Sequence, residues 1–132
     1  MIILRTSEDT ILQVVKHQTY GLMGRPAKLS PGDCILLSLV GSREVSFSME
    51  LVRVRLDGNN ETGKIFGRHW PVILDCRGCL PLKTPFVMSD HAVSGHNYGP
   101  GGTSVYVQRQ DQEVIRAKGL LGTMPWAEYL GT

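Results

Sequence analysis

The sequence has little of several things. Its 132 residues hold no apolar run near the roughly 20 residues that a membrane-spanning helix needs. The opening Met1-Ile2-Ile3-Leu4-Arg5-Thr6-Ser7-Glu8-Asp9 turns charged too early for a secretory signal peptide. A cytoplasmic protein with no membrane partner is therefore expected. There are only three cysteines, Cys34, Cys76 and Cys79. They cannot all pair within the chain, which argues against a secreted disulfide scaffold and for reduced thiols. The charge excess is only +2, which permits nucleic-acid binding but falls short of a non-specific DNA coater. No polar tract is long enough for a disordered tail. No internal repeat or linker divides the chain, so residues 1–132 read as one domain.

What is present suits a folded globular domain, with 42% hydrophobic and 20% charged residues. Ser7 followed by Glu8 and Asp9 reads as a helix N-cap with first-turn acids. Ile11, Leu12, Val14 and Val15 fall on one helical face, and Lys16, His17 and then Gly21 suit the end, which predicts a helix over residues 8–17. Ser30-Pro31-Gly32-Asp33 is a turn signal before the apolar run 34–40, a buried strand. Gly41-Ser42 can turn that strand into residues 44–56, whose alternation predicts a long second strand, bulged near Leu51. Asp57-Gly58-Asn59-Asn60 reads as a polar loop, and residues 72–76 as a short strand ending before Pro81 and Pro85. Residues 89–103, with four glycines, read as a surface loop. Residues 104–108 read as a strand and 113–121 as a closing helix, with Trp126 packing the tail onto the body. The sum is an α+β domain with a mainly antiparallel, curved sheet.

Three constellations invite chemistry. Cys76-x-x-Cys79 followed by His91 and His96 has the spacing of a small zinc finger. However, Ser94-Gly95-His96-Asn97-Tyr98-Gly99-Pro100 breaks the helix such a finger needs, so a zinc-stabilised interaction module stands as an alternative only. A redox Cys-x-x-Cys opens a helix, whereas Cys79 precedes Leu80-Pro81. The glycines from Gly99 to Gly102, followed by Thr103, lack the lysine and helix of a phosphate cradle. No local motif pairs a nucleophile with a base, and no cofactor is implied. The remaining constellation is Tyr20, Phe66 and Trp70, accompanied by Arg5, Arg25, Lys28, Arg68 and Arg109. Aromatic faces stack bases and cationic side chains hold phosphates, a mixture that suits recognition of a single base. Against it stands the ordinary use of such aromatics in a core and of such arginines on a solvated surface.

The order of these residues resembles the YTH and EVE domains of the PUA-like superfamily, readers of modified bases. The segment Arg5-Thr6-Ser7-Glu8-Asp9-Thr10-Ile11, the helix, and then Tyr20-Gly21 resemble the YTH opening, with Tyr20 in the place of a cage tryptophan. Ser30-Pro31-Gly32-Asp33 is similar to the Gly-Asp turn of EVE domains. Lys64-Ile65-Phe66 through Trp70-Pro71-Val72 resembles the following block, with Phe66 as a cage wall. Arg109-Gln110-Asp111-Gln112-Glu113-Val114 is similar to a YTH segment whose arginine meets phosphate. The chain departs from the pattern at Thr10, where YTH proteins have an asparagine that reads the base edge, and its short loop 57–63 carries no tryptophan. The resemblance implies a small curved antiparallel sheet or barrel flanked by two or three helices. It implies a module that binds DNA or RNA carrying a methylated, N6-methyladenine-like base, without catalysis. Tyr20, Phe66, Trp70, Thr10 and Gly21 would form the pocket. Arg5 and Arg109 would hold phosphates, with Arg25, Lys28 and Arg68 as further candidates. A PUA-like enzyme acting on nucleic acid or a nucleotide is the alternative. Similar modules also occur as N-terminal readers of modification-dependent restriction enzymes, so the chain is compatible with a place in a larger protein.

Overall fold

Ser7 both ends the first strand and starts the first helix. Its backbone is extended (φ −91°, ψ 166°) and its side chain accepts from the Thr10 amide, so the chain leaves β1 (Ile2–Thr6) and enters α1 (Glu8–His17) without a linker. Gln18 closes α1 in the left-handed region (φ 55°), donating its amide to the Val14 carbonyl at 2.7 Å. The computed structural model describes residues 1–91 and 104–131. Beyond α1 the order is β2 (Thr19–Leu22), β3 (Cys34–Leu39), β4 (Glu44–Leu56), α2 (Glu61–Phe66) and β5 (Val72–Val87). A 3-10 turn (Met88–Asp90), β6 (Ser104–Tyr106), α3 (Arg109–Ala117) and α4 (Trp126–Tyr129) follow.

The six strands form one sheet in the order β2-β5-β4-β3-β1-β6. All neighbouring pairs are antiparallel except β1 with β3, where Ile2 lies beside Ile35 and Thr6 beside Leu39. The sheet is therefore mixed, with one parallel pair joined through α1 and β2. Apolar side chains fill both of its faces, because alternate strand residues point to opposite sides. Ile2, Leu4, Ile35 and Leu37 join one core, with Ile11 and Val14 of α1. Ile3 and Leu36 join the other, with Ile115 of α3. Helices α1 and α3 thus pack on opposite faces.

Strands β4 and β5 form the centre and bend by bulges. Gly78 and Cys79 together face the single residue Met49, between the pairs Glu50↔Arg77 and Ser48↔Leu80, and Gly78 takes φ +62°. Val52 is an extra residue between Leu51↔Cys76 and Arg53↔Asp75, close to the bulge expected near Leu51. A third irregularity lies between Val45 and Phe47. Although two residues apart, these side chains enter different cores, because the bulge reverses the alternation.

Several expectations need correction. The strand expected to end at Cys76 runs on to Val87. Pro81 is tolerated opposite Phe47, where its carbonyl accepts from Met124 at 2.9 Å, and Pro85 falls where β5 bows away from β4. Residues 19–22, for which the sequence predicted no element, form the edge strand β2. The six-residue α2 was not expected at all. The closing helix begins at Arg109, four residues before the expected start, and ends at Ala117. Four α-helices, where two or three were expected, accompany the sheet among the described residues. No helix there is long and apolar enough to cross a membrane.

The tail docks as expected. The Trp126 ring stacks on Phe47 with centroids 5.5 Å apart, and its indole N–H donates to the Cys79 carbonyl at 2.8 Å. Tyr129 meets both rings edge-on. Phe47 is 2% exposed, so Phe47→Ala should cost about 3–5 kcal/mol in urea unfolding. It should also make the segment after Lys118 cleavable by protease before global unfolding, because the tail's stacking partner is lost.

Candidate functional site

A pocket of about 290 Å³ opens where β1 passes into α1. Arg5, Thr6, Ser7 and Thr10 line it from the end of β1 and the first turn of α1, and Tyr20 and Gly21 from β2. Phe66, Arg68 and Trp70, from the end of α2 and the segment before β5, and Val40 complete the lining. Four stretches of chain, distant in sequence, meet here.

Trp70 owes its place to a buried carboxylate. Asp57, whose side chain is 1% exposed, follows β4 and accepts from the amides of Glu61 (2.8 Å) and Thr62 (3.0 Å) and from the Thr62 hydroxyl (2.5 Å). It thereby caps α2, whose own cap residue Asn60 makes no side-chain capping bond. Desolvation works against the charged form, but the hydrogen bonds from Thr62 and Glu61, aided by His69, outweigh it and hold the Asp57 carboxyl down at about 2. The Thr62 oxygen in turn accepts from the Trp70 amide at 2.7 Å, fixing the indole's backbone. Arg55 holds α2 to the sheet through paired bonds to Glu61 (2.8 and 3.0 Å) and a bond to Asp75 (2.7 Å).

The Trp70 indole then lies against Gly21, where a β-carbon would stand only 2.4–2.7 Å from its atoms. Gly21 is therefore required by contact, since any side chain would strike the ring. The Arg68 guanidinium sits over the indole, its central carbon 4.2 Å from the ring centroid, and reaches the Met23 sulfur at 3.7 Å. Phe66 is partly buried against the core.

Tyr20 is a wall and not an open platform. It is 8% exposed, its ring belongs to the core, and its hydroxyl donates to the Arg5 carbonyl. Burial pushes its phenol up to about 12. Across from it, the Ser7 hydroxyl donates to Thr10 Oγ1 at 2.9 Å while accepting from the Thr10 amide at 3.1 Å. Among the described residues no carboxylate, imidazole, amine or thiol lines this pocket.

Tyr20, Phe66, Trp70, Thr10, Gly21, Arg5 and Arg68, expected as site residues from the sequence, thus meet in one place. Arg109 does not join them. It begins α3, which packs on the other face of the sheet, and pairs with Glu113 at 3.6 Å. The Lys28 ammonium lies 5.7 Å from the Tyr106 ring centroid beside edge strand β6, and Arg25 is exposed between β2 and β3. The zinc alternative gains nothing, because no three potential ligands cluster among the described residues. Cys76 and Cys79 are buried in one core, their thiols pushed up by burial to about 12 and 11, while His91 packs edge-on against Phe86 of the other. His96 lies outside the described residues.

Sequence reasoning missed Thr6, Ser7 and Val40 as lining residues, and Asp57 and Thr62 as the groups that hold Trp70. A loop aspartate four residues before a glutamate carries no periodic signal, although Asp57 with Glu61-Thr62 is a possible capping pair. A larger hollow of about 630 Å³ lies elsewhere, beside Cys34 and Arg116. It has no aromatic wall and mixes Asp33 and Glu50 with Arg77 and Arg116, which suits a planar ligand less well.

No family model and no curated protein matches the chain in sequence. Its fold does match solved structures. An ASCH protein from Zymomonas mobilis superposes with a TM-score of 0.63 at 9% identity, covering 88% of this chain and 93% of the other. Two variants of that protein, one with a tyrosine changed to phenylalanine and one with a serine changed to alanine, give TM-scores of 0.61 and 0.66, each at 9% identity. They cover 88% and 89% of this chain, and 96% and 94% of theirs. At this identity the likeness is one of fold, and the fold is the α+β, PUA-like one expected. These neighbours are ASCH proteins and not YTH or EVE domains.

Two outcomes test how the pocket is held. Gly21→Ala should displace Trp70, costing about 1–3 kcal/mol and red-shifting its fluorescence when measured in a Trp126→Phe background. The Asp57 carboxyl is held below its ordinary 3.8, so its contribution to stability is complete above that value and is lost as pH falls toward about 2. Asp57→Asn should therefore unfold with a flatter pH dependence across that window than the unaltered chain.

Proposed function

We propose that the chain is a nucleic-acid-binding module that takes one unstacked base into the pocket between α1 and Trp70, without chemistry on it. The observation that carries this reading is the pocket itself. At about 290 Å³ it lies at the small end of ligand sites, where pockets run from roughly 300 to 1,000 Å³. That size suits a single base better than an extended ligand.

Its walls match the ligand. Phe66, Trp70 and the edge of Tyr20 supply flat apolar surface, and Arg68 adds a planar cation already stacked on the indole. Bases stack on guanidinium planes as well as on aromatic rings, so an entering base can lie on Arg68 or take its place over Trp70. Arg5 also lines the pocket and carries the charge that a backbone phosphate needs. The apolar Val40 and Phe66 offer surface against which a methyl group would pack, which supports a methylated base as the finer form of the ligand. Among the described residues no carboxylate, imidazole, amine or thiol lines the pocket, and burial holds the Tyr20 phenol up at about 12. This favours recognition over acid–base catalysis.

Fluorescence anisotropy with labelled oligonucleotides tests the reading. Trp70→Ala should weaken binding about tenfold to a hundredfold, the loss of one stacked base. Phe66→Ala should reduce affinity for a methylated strand more than for its unmodified twin. Arg109→Ala, on the other sheet face, should change little. If Arg109→Ala weakens binding as much as Trp70→Ala does, the contact is general electrostatics and the pocket is not the site.

A further inference from the structure

Resting on that reading, we infer that the pocket admits neutral bases and turns away methylated bases that carry a positive charge, such as N1-methyladenine, N3-methylcytosine and N7-methylguanine. A cationic ring is held well where an aromatic face is open to it or a carboxylate answers its charge. Of the aromatic rings in the lining, the Trp70 indole attracts a cation most strongly, and its face is already taken. The Arg68 guanidinium lies over it, the central carbon 4.2 Å from the ring centroid, and also reaches the Met23 sulfur at 3.7 Å. None of the ion pairs among the described residues includes Arg68, so no carboxylate there offsets its charge.

A cationic base that enters beside Arg68 meets a like charge across a stacking distance. If it instead displaces Arg68 from the indole, one cation replaces another on the same ring, and the attraction gained is the attraction given up. A neutral base meets neither cost, because it can stack on the guanidinium plane and leave the Arg68–Trp70 contact in place. Arg5 brings a second guanidinium to the lining, and no carboxylate among the described residues lines the pocket beside it. Glu8 and Asp9 line a separate hollow that shares only Ser7 and Val40 with this one. The Asp57 carboxylate is engaged by the amides of Glu61 and Thr62 and by the Thr62 hydroxyl. The Thr6, Ser7 and Thr10 hydroxyls in the lining are uncharged, so they favour neither kind of base by charge. Discrimination of this kind works by repulsion of the wrong ligand, with no added contact to the right one.

The test uses oligonucleotides with one central methylated base, in ribose and deoxyribose series. The decisive pairs are N6-methyladenine against N1-methyladenine and 5-methylcytosine against N3-methylcytosine. Each pair differs in the position of the methyl group and in one proton, and only the second member is a cation at neutral pH. The neutral member should bind about fivefold to tenfold more tightly at low salt, the modest effect that solvent leaves to a partly exposed charge. The gap should shrink as salt rises. Arg68→Gln removes the charge and should narrow the gap, whereas Arg68→Lys keeps the charge and should preserve it. N1-methyladenine loses its extra proton in mildly alkaline buffer, and its affinity should then approach that of N6-methyladenine measured beside it. Equal affinity within pairs, or a preference for the cations, combined with a large loss in Trp70→Ala, overturns the charge selector and leaves the base pocket standing. A gap that Arg68→Gln leaves unchanged makes the position of the methyl group its cause and also overturns the selector. No binding by any strand overturns both.

Discussion

One buried carboxylate organises the pocket side of the molecule. A carboxylate removed from water is tolerated only where hydrogen bonds replace its hydration. Asp57 obtains them from the first amides of α2 and the Thr62 hydroxyl. Because Thr62 is also bound to the Trp70 backbone, the same carboxylate that starts the helix determines where the chain returns to the sheet. The indole then has one place to lie, over the bare Gly21, and Arg68 stacks where that ring leaves it room. Helix, indole and guanidinium are set in sequence by one charge.

The sheet beneath has a different logic. Its centre is the long β4–β5 pair, and the irregularities along that pair apportion side chains between two cores. Without the break between Val45 and Phe47, both residues would face the same way, and Phe47 could not meet Trp126 while Val45 packs with Phe86 on the other side. The edges are short, four residues in β2 and three in β6, which limits the unpaired backbone offered to other chains. Three strands separate β1 from β2 in the sheet, and the Tyr20 hydroxyl, bonded to the Arg5 carbonyl, joins the end of β1 to β2 so that both contribute to one pocket.

Much of this was legible in the sequence where local chemistry decides structure. Ser7 with Glu8 and Asp9 fixed the start of α1, and the alternation from Glu44 to Leu56 marked β4 end to end. The aromatics and Arg5, Arg68 and Thr10 were identifiable as candidates, and the fold brings them together. Where tertiary pairing decides, the sequence was silent. Pro81 and Pro85 looked like a strand's end, yet one sits at a tolerated pairing position and the other in a bow of the strand. The helix α2 is too short to show a period, and its cap is a side chain supplied from before the helix. Arg109 carried the right chemistry on the wrong face, and only the division of Ile3 and Ile115 from Ile2 and Ile11 reveals it.

The meeting of four chain segments at the pocket couples recognition to folding. No fragment of the chain holds the walls by itself, so the unfolded ensemble has no counterpart of the site. Any ligand that fits must therefore draw the population toward the native state, with an effect that grows as the logarithm of its concentration. The converse also holds. A substitution in the remote β4–β5 bulges that loosens the sheet would lower the apparent affinity for a ligand it never touches, by reducing the share of molecules in which Trp70 and Ser7 line one pocket.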